Sequence, residues 1–228
     1  MGLRCEDLAS KPTLPTHKIE CIGNSITCGT GSDQSSFICN TGDWYDQHNA
    51  YYSYGARTAR NLNAQWHLSS VSGIGLIHNC CTDTVQMPHV FDKLNLQLTG
   101  STWDFTQYIP DVLTICLGQN DGTIADADTS KFFGTFVTFL QAIRTNYPNT
   151  QIILITSPMA SGSLLANMIR NNAAVVRRMK LLGDLKVSSF AFSTTRGWNG
   201  GCNSHPTIAQ HEELATLLSA HIKTVMGW

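Results

Sequence analysis

From Lys18 onward, short apolar runs rich in β-forming residues alternate with longer stretches that are amphipathic at helical spacing. This alternation leaves few folds open. Strands separated by helices cannot pair as tight hairpins, so they run parallel, with the connecting helices packed on the faces of one sheet. The apolar runs predict five strands at residues 18–22, 66–71, 111–117, 151–156 and 187–192. Four helical patterns go with them. Residues 49–62 carry Tyr51, Tyr54, Ala56 and Ala59, and residues 130–146 carry Phe133, Phe136, Val137 and Leu140 on one face. Residues 164–182 repeat Leu165, Met168, Ile169 and Val176, and residues 207–226 repeat Ile208, Leu214, Leu217, Leu218, Ile222 and Val225. Residues 82–103 show no clean period. The fold class is therefore α/β, with a crevice at the carboxyl ends of the strands. A chain of 228 residues suits one domain, over residues 18–228, behind a short extension over 1–17.

Charge narrows the partners. The 15 Lys+Arg against 16 Asp+Glu leave a net charge of −1, and only 14% of residues are charged. There is no basic excess to neutralise a phosphate backbone, which argues against nucleic acid and for a neutral substrate. No apolar run is long enough to cross a bilayer, so no membrane partner is expected. Eight Cys, few charges and many Ser, Thr, Asn and Gln point to secretion, with the signal peptide already removed and Met1-Gly2 read as an added start. No Asn-x-Ser/Thr sequon occurs.

Four blocks fall at the predicted carboxyl edge. The first strand runs into Gly23-Asn24-Ser25-Ile26-Thr27, where a serine hydroxyl at a helix entrance can act as a nucleophile beside backbone N–H donors. The second strand leads to Ser72-Gly73-Ile74-Gly75, whose Gly73 can bring an N–H close to a ligand. The third ends in Leu117-Gly118-Gln119-Asn120-Asp121-Gly122, where the Asn120 amide can donate to a developing oxyanion. Near the C-terminus, Gly201-Cys202-Asn203-Ser204-His205-Pro206 precedes the last helix, and a neutral His205 can take the Ser25 proton. Taken singly, each block is also ordinary turn or cap chemistry.

Together and in this order, the blocks resemble those of the SGNH (GDSL-type) hydrolases. The resemblance covers nearly all of residues 18–228. Within that group, Lys18-Ile19-Glu20 leading into Ser25-Ile26-Thr27-Cys28-Gly29, Trp103-Asp104-Phe105, and Gly201-Cys202-Asn203 before His205-Pro206 are most similar to carbohydrate esterase family 2. The resemblance implies a flavodoxin-like three-layer α/β/α sandwich around a five-stranded parallel sheet. It also implies a serine esterase that removes acetyl groups from plant polysaccharides or oligosaccharides, with no metal or organic cofactor. Ser25 would be acylated and His205 would be the base. The Ser25 and Gly73 N–H groups and the Asn120 amide would form the oxyanion hole.

Three departures from the pattern stand out. Many SGNH enzymes place an aspartate three residues before the histidine, and here that position is Cys202. The resemblance to family 2, which can work as a Ser-His dyad with a backbone carbonyl holding the imidazole, implies the same here, with the Asn203 side chain as a helper. The usual aspartate before the serine is Asn24. Family 2 enzymes commonly carry an N-terminal β-sandwich domain, and seventeen residues precede Lys18 here, so that domain is expected to be lacking or trimmed. Two rival readings remain. One is an SGNH esterase or lipase acting on other short acyl esters; the other is a catalytically weak carbohydrate-binding protein.

Among the cysteines, Cys21 and Cys116 are expected to be buried thiols on neighbouring strands. Cys28 with Cys39, or either with Cys80, Cys81 or Cys202, are the open pairings across the loops. Trp44, Tyr45, Met159 and Trp198 fall in predicted loops facing the crevice, where an aromatic face suits a sugar ring and loop packing suits it equally.

Overall fold

The computed structural model describes residues 7, 9, 10, 12–81, 85–123, 129–192 and 197–228; the Met1-Gly2 start and Cys5 lie outside the described residues. Strands β1 (His17–Gly23), β2 (Ala64–Ser70), β3 (Val112–Cys116), β4 (Gln151–Ile155) and β5 (Val187–Phe190) form one sheet. Every pairing is parallel and the order is β2-β1-β3-β4-β5. The predicted sheet is therefore present, with bounds that move by at most two residues.

Alternation along the strands sorts side chains into two cores. Ile22, Leu113, Ile115, Ile152 and Leu154 face helices α4 (Thr129–Asn146) and α5 (Gly162–Leu181), where Phe136, Phe139, Leu140, Val175 and Met179 meet them. Ile19, Cys21, Val112, Ile153 and Ile155 face the opposite way, onto helices α2 (Tyr54–Asn61) and α6 (Ile208–Met226) through Tyr54, Ala59, Leu214, Leu218 and Ile222. This gives the three-layer α/β/α sandwich. Cys21 and Cys116 are free and buried on paired strands, and burial pushes both thiols up to about 12.

Two stretches differ from their sequence reading. The helix expected over 49–62 is broken, with a 3₁₀ turn at Ala50–Tyr52 that gives way to α2 through an extended Ser53. The Asn49 side chain accepts from the Tyr52 N–H at 3.2 Å and caps that turn, leaving Tyr51 exposed instead of in the core. Within the unplaced 82–103 stretch lie the four-residue helix α3 (Met87–Val90) and an isolated bridge between Lys93 and Thr102. A helix of one turn is too short to print a period, yet it buries Met87 and Val90 completely.

His211 of α6 is buried in the α2–α6 layer. Its Nδ1 accepts the Tyr54 N–H at 3.1 Å and its ring stacks on Tyr54. Burial, with Arg57 and His205 adding to it, lowers its pKa from 6.5 to about 3. The unfolded chain protonates this histidine first, so its contribution to stability is complete above about 6.5 and is lost as pH falls from there towards about 3. A urea titration at about pH 5 should show roughly 2 kcal/mol lost relative to neutral pH through this one group. His211→Asn, which keeps an acceptor for Tyr54, should flatten that dependence.

Candidate active site

Ser25 is the first residue of a short helix, α1 (Ser25–Cys28), that begins where β1 ends. Asn24 caps it, its side-chain oxygen accepting from the Ile26 N–H at 3.2 Å, and Gly29 closes it in the left-handed region. The cap fixes the serine at the strand-to-helix corner. As first residue of the helix, Ser25 has an N–H with no intrahelical acceptor.

His205 lies 180 residues away in sequence and 2.8 Å away in space, Nε2 to Ser25 Oγ. Its Nδ1 faces two backbone carbonyls, Asn203 at 3.0 Å and Cys202 at 3.3 Å. Carbonyl oxygens only accept, so Nδ1 carries the proton and Nε2 presents its lone pair to the serine hydroxyl. Burial holds the imidazole below its usual range, while the two carbonyls oppose that shift. The ring is thus neutral at neutral pH and oriented to accept. The expected help from the Asn203 side chain is replaced by its carbonyl, because Asn203 and Ser204 are both left-handed (φ 52 and 59) and turn the backbone oxygens towards the ring. Cys202 also contributes only its carbonyl, since its sulfur is bonded to Cys39.

The loops after β2 and β3 are locked together. The Asn120 amide donates to Ile74 O at 2.7 Å, beside the Gly73 turn, and Gly73 takes φ 84. The neighbouring Asp121 receives the N–H groups of Leu76, Ile77 and His78 at 2.9, 2.6 and 3.0 Å on Oδ1. A link from Thr30 Oγ1 to Ser72 Oγ at 3.4 Å joins this loop to the one after α1. Ser25 is therefore joined to His205, and Asn120 to the loop after β2 at Ile74 O, the residue after Gly73.

The predicted aromatic platform is less uniform. Trp44 is exposed and sets its ring edge-on against His48 at 4.3 Å. Trp198 is buried in the cluster that includes Phe192 and Ile155. With Met159 and Ser157 it lines a cavity of about 450 Å3 at the carboxyl ends of those strands, and neither Ser25 nor His205 is in that lining.

Sequence reasoning assigned no role to Asp121, Gly31 or His48. Asp121 carries a signal in hindsight, an acid directly after the amide block, whereas Gly31 and His48 sit in a polar loop with no pattern to mark them. Gly31 accepts the Cys202 N–H at 2.8 Å, and its own N–H goes to His48 Nδ1 at 3.3 Å.

A family model described as GDSL-like Lipase/Acylhydrolase family matches residues 21–216. This chain belongs to that family. Among GDSL-like proteins, it is 35% identical to the structure of a family two carbohydrate esterase from Clostridium thermocellum in complex with cellohexaose, with a TM-score of 0.89 over 97% of this chain and 68% of that one. It is also 37% identical to the "Cellulase/esterase CelE" of Acetivibrio thermocellus, over 97% of this chain, and 30% identical to an "Acetylxylan esterase / glucomannan deacetylase" of Cellvibrio japonicus, over 95%. The chain spans 27% and 59% of the lengths of these last two relatives. Within the GDSL-like family it groups with the family two carbohydrate esterases.

The Asp121 clamp is open to a direct check. Asp121→Ala strands three loop N–H groups and should lower the urea unfolding free energy by about 3 kcal/mol or more. Asp121→Asn, which keeps one oxygen for all three donors, should lose less.

Proposed function

We propose that this protein is a serine esterase that removes acetyl groups from carbohydrate through an acyl-enzyme on Ser25. The observation that carries the reading is the 2.8 Å contact between Ser25 Oγ and His205 Nε2, with Nδ1 anchored on backbone carbonyls. His205 takes the hydroxyl proton as Oγ attacks the ester carbon. The charge that develops on the carbonyl oxygen is met by the Ser25 and Gly73 N–H groups and by the Asn120 amide. The imidazolium then gives its proton to the departing sugar oxygen, which leaves as a hydroxyl, and water, activated by the same nitrogen, releases acetate and restores Ser25.

The carbohydrate assignment rests on the family two relatives and on the exposed Trp44, whose ring packs edge-on against His48. Acetylated polysaccharide or oligosaccharide is the substrate class, and no nucleic acid or membrane partner is part of the reading. Extracellular action suits a chain with a disulfide between two of its loops. No helix among the described residues is long and apolar enough to cross a membrane.

Acetate release from acetylated xylan and from an aryl acetate tests the proposal, with wild type beside Ser25→Ala and His205→Ala. Wild type should release acetate, and each variant should lose at least about a thousandfold in kcat while keeping its fold. Binding of xylan without any acetate release by wild type would favour the binding-protein reading; turnover of long-chain esters alone would favour the lipase reading.

The pH dependence follows from the base. Only neutral His205 accepts the serine proton, and burial lowers its pKa from 6.5, so the acid limb of kcat/KM should lie below that of a free imidazole. A pH–rate profile on the aryl acetate measures this.

A further inference from the structure

His205 is oriented without an acid. A carboxylate would hold the imidazole by its full charge, and two carbonyls offer only partial charges, so the position of their backbone has to be fixed by something else. That backbone is unusual. Asn203 and Ser204 are consecutive non-glycine residues in the left-handed region, a conformation that persists only where the surroundings impose it.

The surroundings here come from the loop over residues 29–47. Gly31 O receives the Cys202 N–H at 2.8 Å, and a Cβ on Gly31 would stand 2.6 Å from the Cys202 carbonyl oxygen, so the two backbones pack closely. On the far side of the turn, the Gly201 N–H donates to His205 O at 2.7 Å. A single covalent bond fastens the pair of loops, the Cys39–Cys202 disulfide across 163 residues of sequence. Cys202 is thus held through its sulfur and its N–H, while its carbonyl faces His205.

We infer that Cys39, through its bond to Cys202, is a positioning residue for His205, doing by backbone constraint what an acidic third residue does by charge. The inference rests on the proposed Ser-His chemistry. Cys39 touches neither Ser25 nor the reacting atoms. Its bond restricts the 202–204 turn, and the turn aims two carbonyls at Nδ1. A rival role for the same bond is to anchor the loop that carries Trp44, which would affect polymer binding and leave the chemistry unchanged.

The two roles separate in kinetics and in titration. Burial lowers the His205 pKa and the Asn203 and Cys202 carbonyls oppose it, so a turn that draws the carbonyls away while the ring stays buried lowers the pKa further. His48, from the loop, and His211, from α6, are the titratable groups whose charge reaches His205, and both have lowered pKa values of their own. His211, lowered to about 3, stays uncharged well below neutrality, and the His48 ring is followed in the same NMR titration.

The experiment compares wild type with Cys39→Ser on an aryl acetate and on acetylated xylan, and follows the His205 ring by NMR as pH is varied. The expected result is a kcat on the aryl acetate lowered by at least about tenfold with KM unchanged, and a His205 titration displaced to lower pH. Unchanged kcat and titration in folded Cys39→Ser would overturn the inference, as would a rise in KM on xylan alone. If the variant does not fold, folded wild type treated with a phosphine reductant gives the same comparison, and the loss should track the appearance of the two thiols. Wild type without esterase activity would sink the functional reading separately, and the NMR titration would still decide the strap.

Discussion

Every strand of the sheet runs the same way, so every strand delivers its following loop to one edge. The rest of the site depends on this. In the order β2-β1-β3-β4-β5, successive connections leave β1 and β3 in opposite directions across the sheet, and the gap between their ends is where a crevice must open. Ser25 follows β1 and Asn120 follows β3, so the flanks of that gap carry the hydroxyl and the amide. The paired register of Gly23 with Cys116 and with Ser70 sets how far each loop reaches. Apolar burial on both faces holds that register, because a slip of one residue would turn Ile22 and Leu113 from one core into the other.

On that rigid edge the loops are tied to one another more than to the helices. Asp121 gathers three N–H groups of the loop after β2, Asn120 takes a carbonyl of the same loop, and the sequence around Gly31 presses against Cys202. Backbone groups do most of this tying. A site assembled from backbone donors and acceptors needs little side-chain charge, which agrees with a chain in which only 14% of residues are charged. The imidazole itself has carbonyls that orient it and burial that keeps it neutral, so it is available as a base.

Much of this was legible beforehand. The three central strands were plainest because buried parallel strands have to be apolar on both faces. The four blocks fell at the edge because each follows such a run directly. Legibility failed where side chains break regular spacing. Asn49 caps a 3₁₀ turn and divides the expected helix, so Tyr51 leaves the core that its spacing suggested. One turn of helix at Met87 has no room for a period. Trp198 stands in a loop by sequence and in the α2–α6 core by packing, since nothing local records which way a loop folds.

The sequence by itself determined the α/β sheet, the family, and the residue types at the edge, because these follow from local periodicity and from motifs that lie within a few residues of a strand end. Only the tertiary structure decided which cysteine joins Cys39, that Cys202 and Asn203 act through their carbonyls, and that Asp121 and Gly31 hold the loops. The disulfide and the Asp121 and Gly31 contacts join segments that are distant in sequence, 163 residues apart for the disulfide, and the two carbonyls reach His205 from within its own turn. Their geometry depends on strand order and on a left-handed turn at Asn203 and Ser204, and neither side chain marks that turn in the sequence.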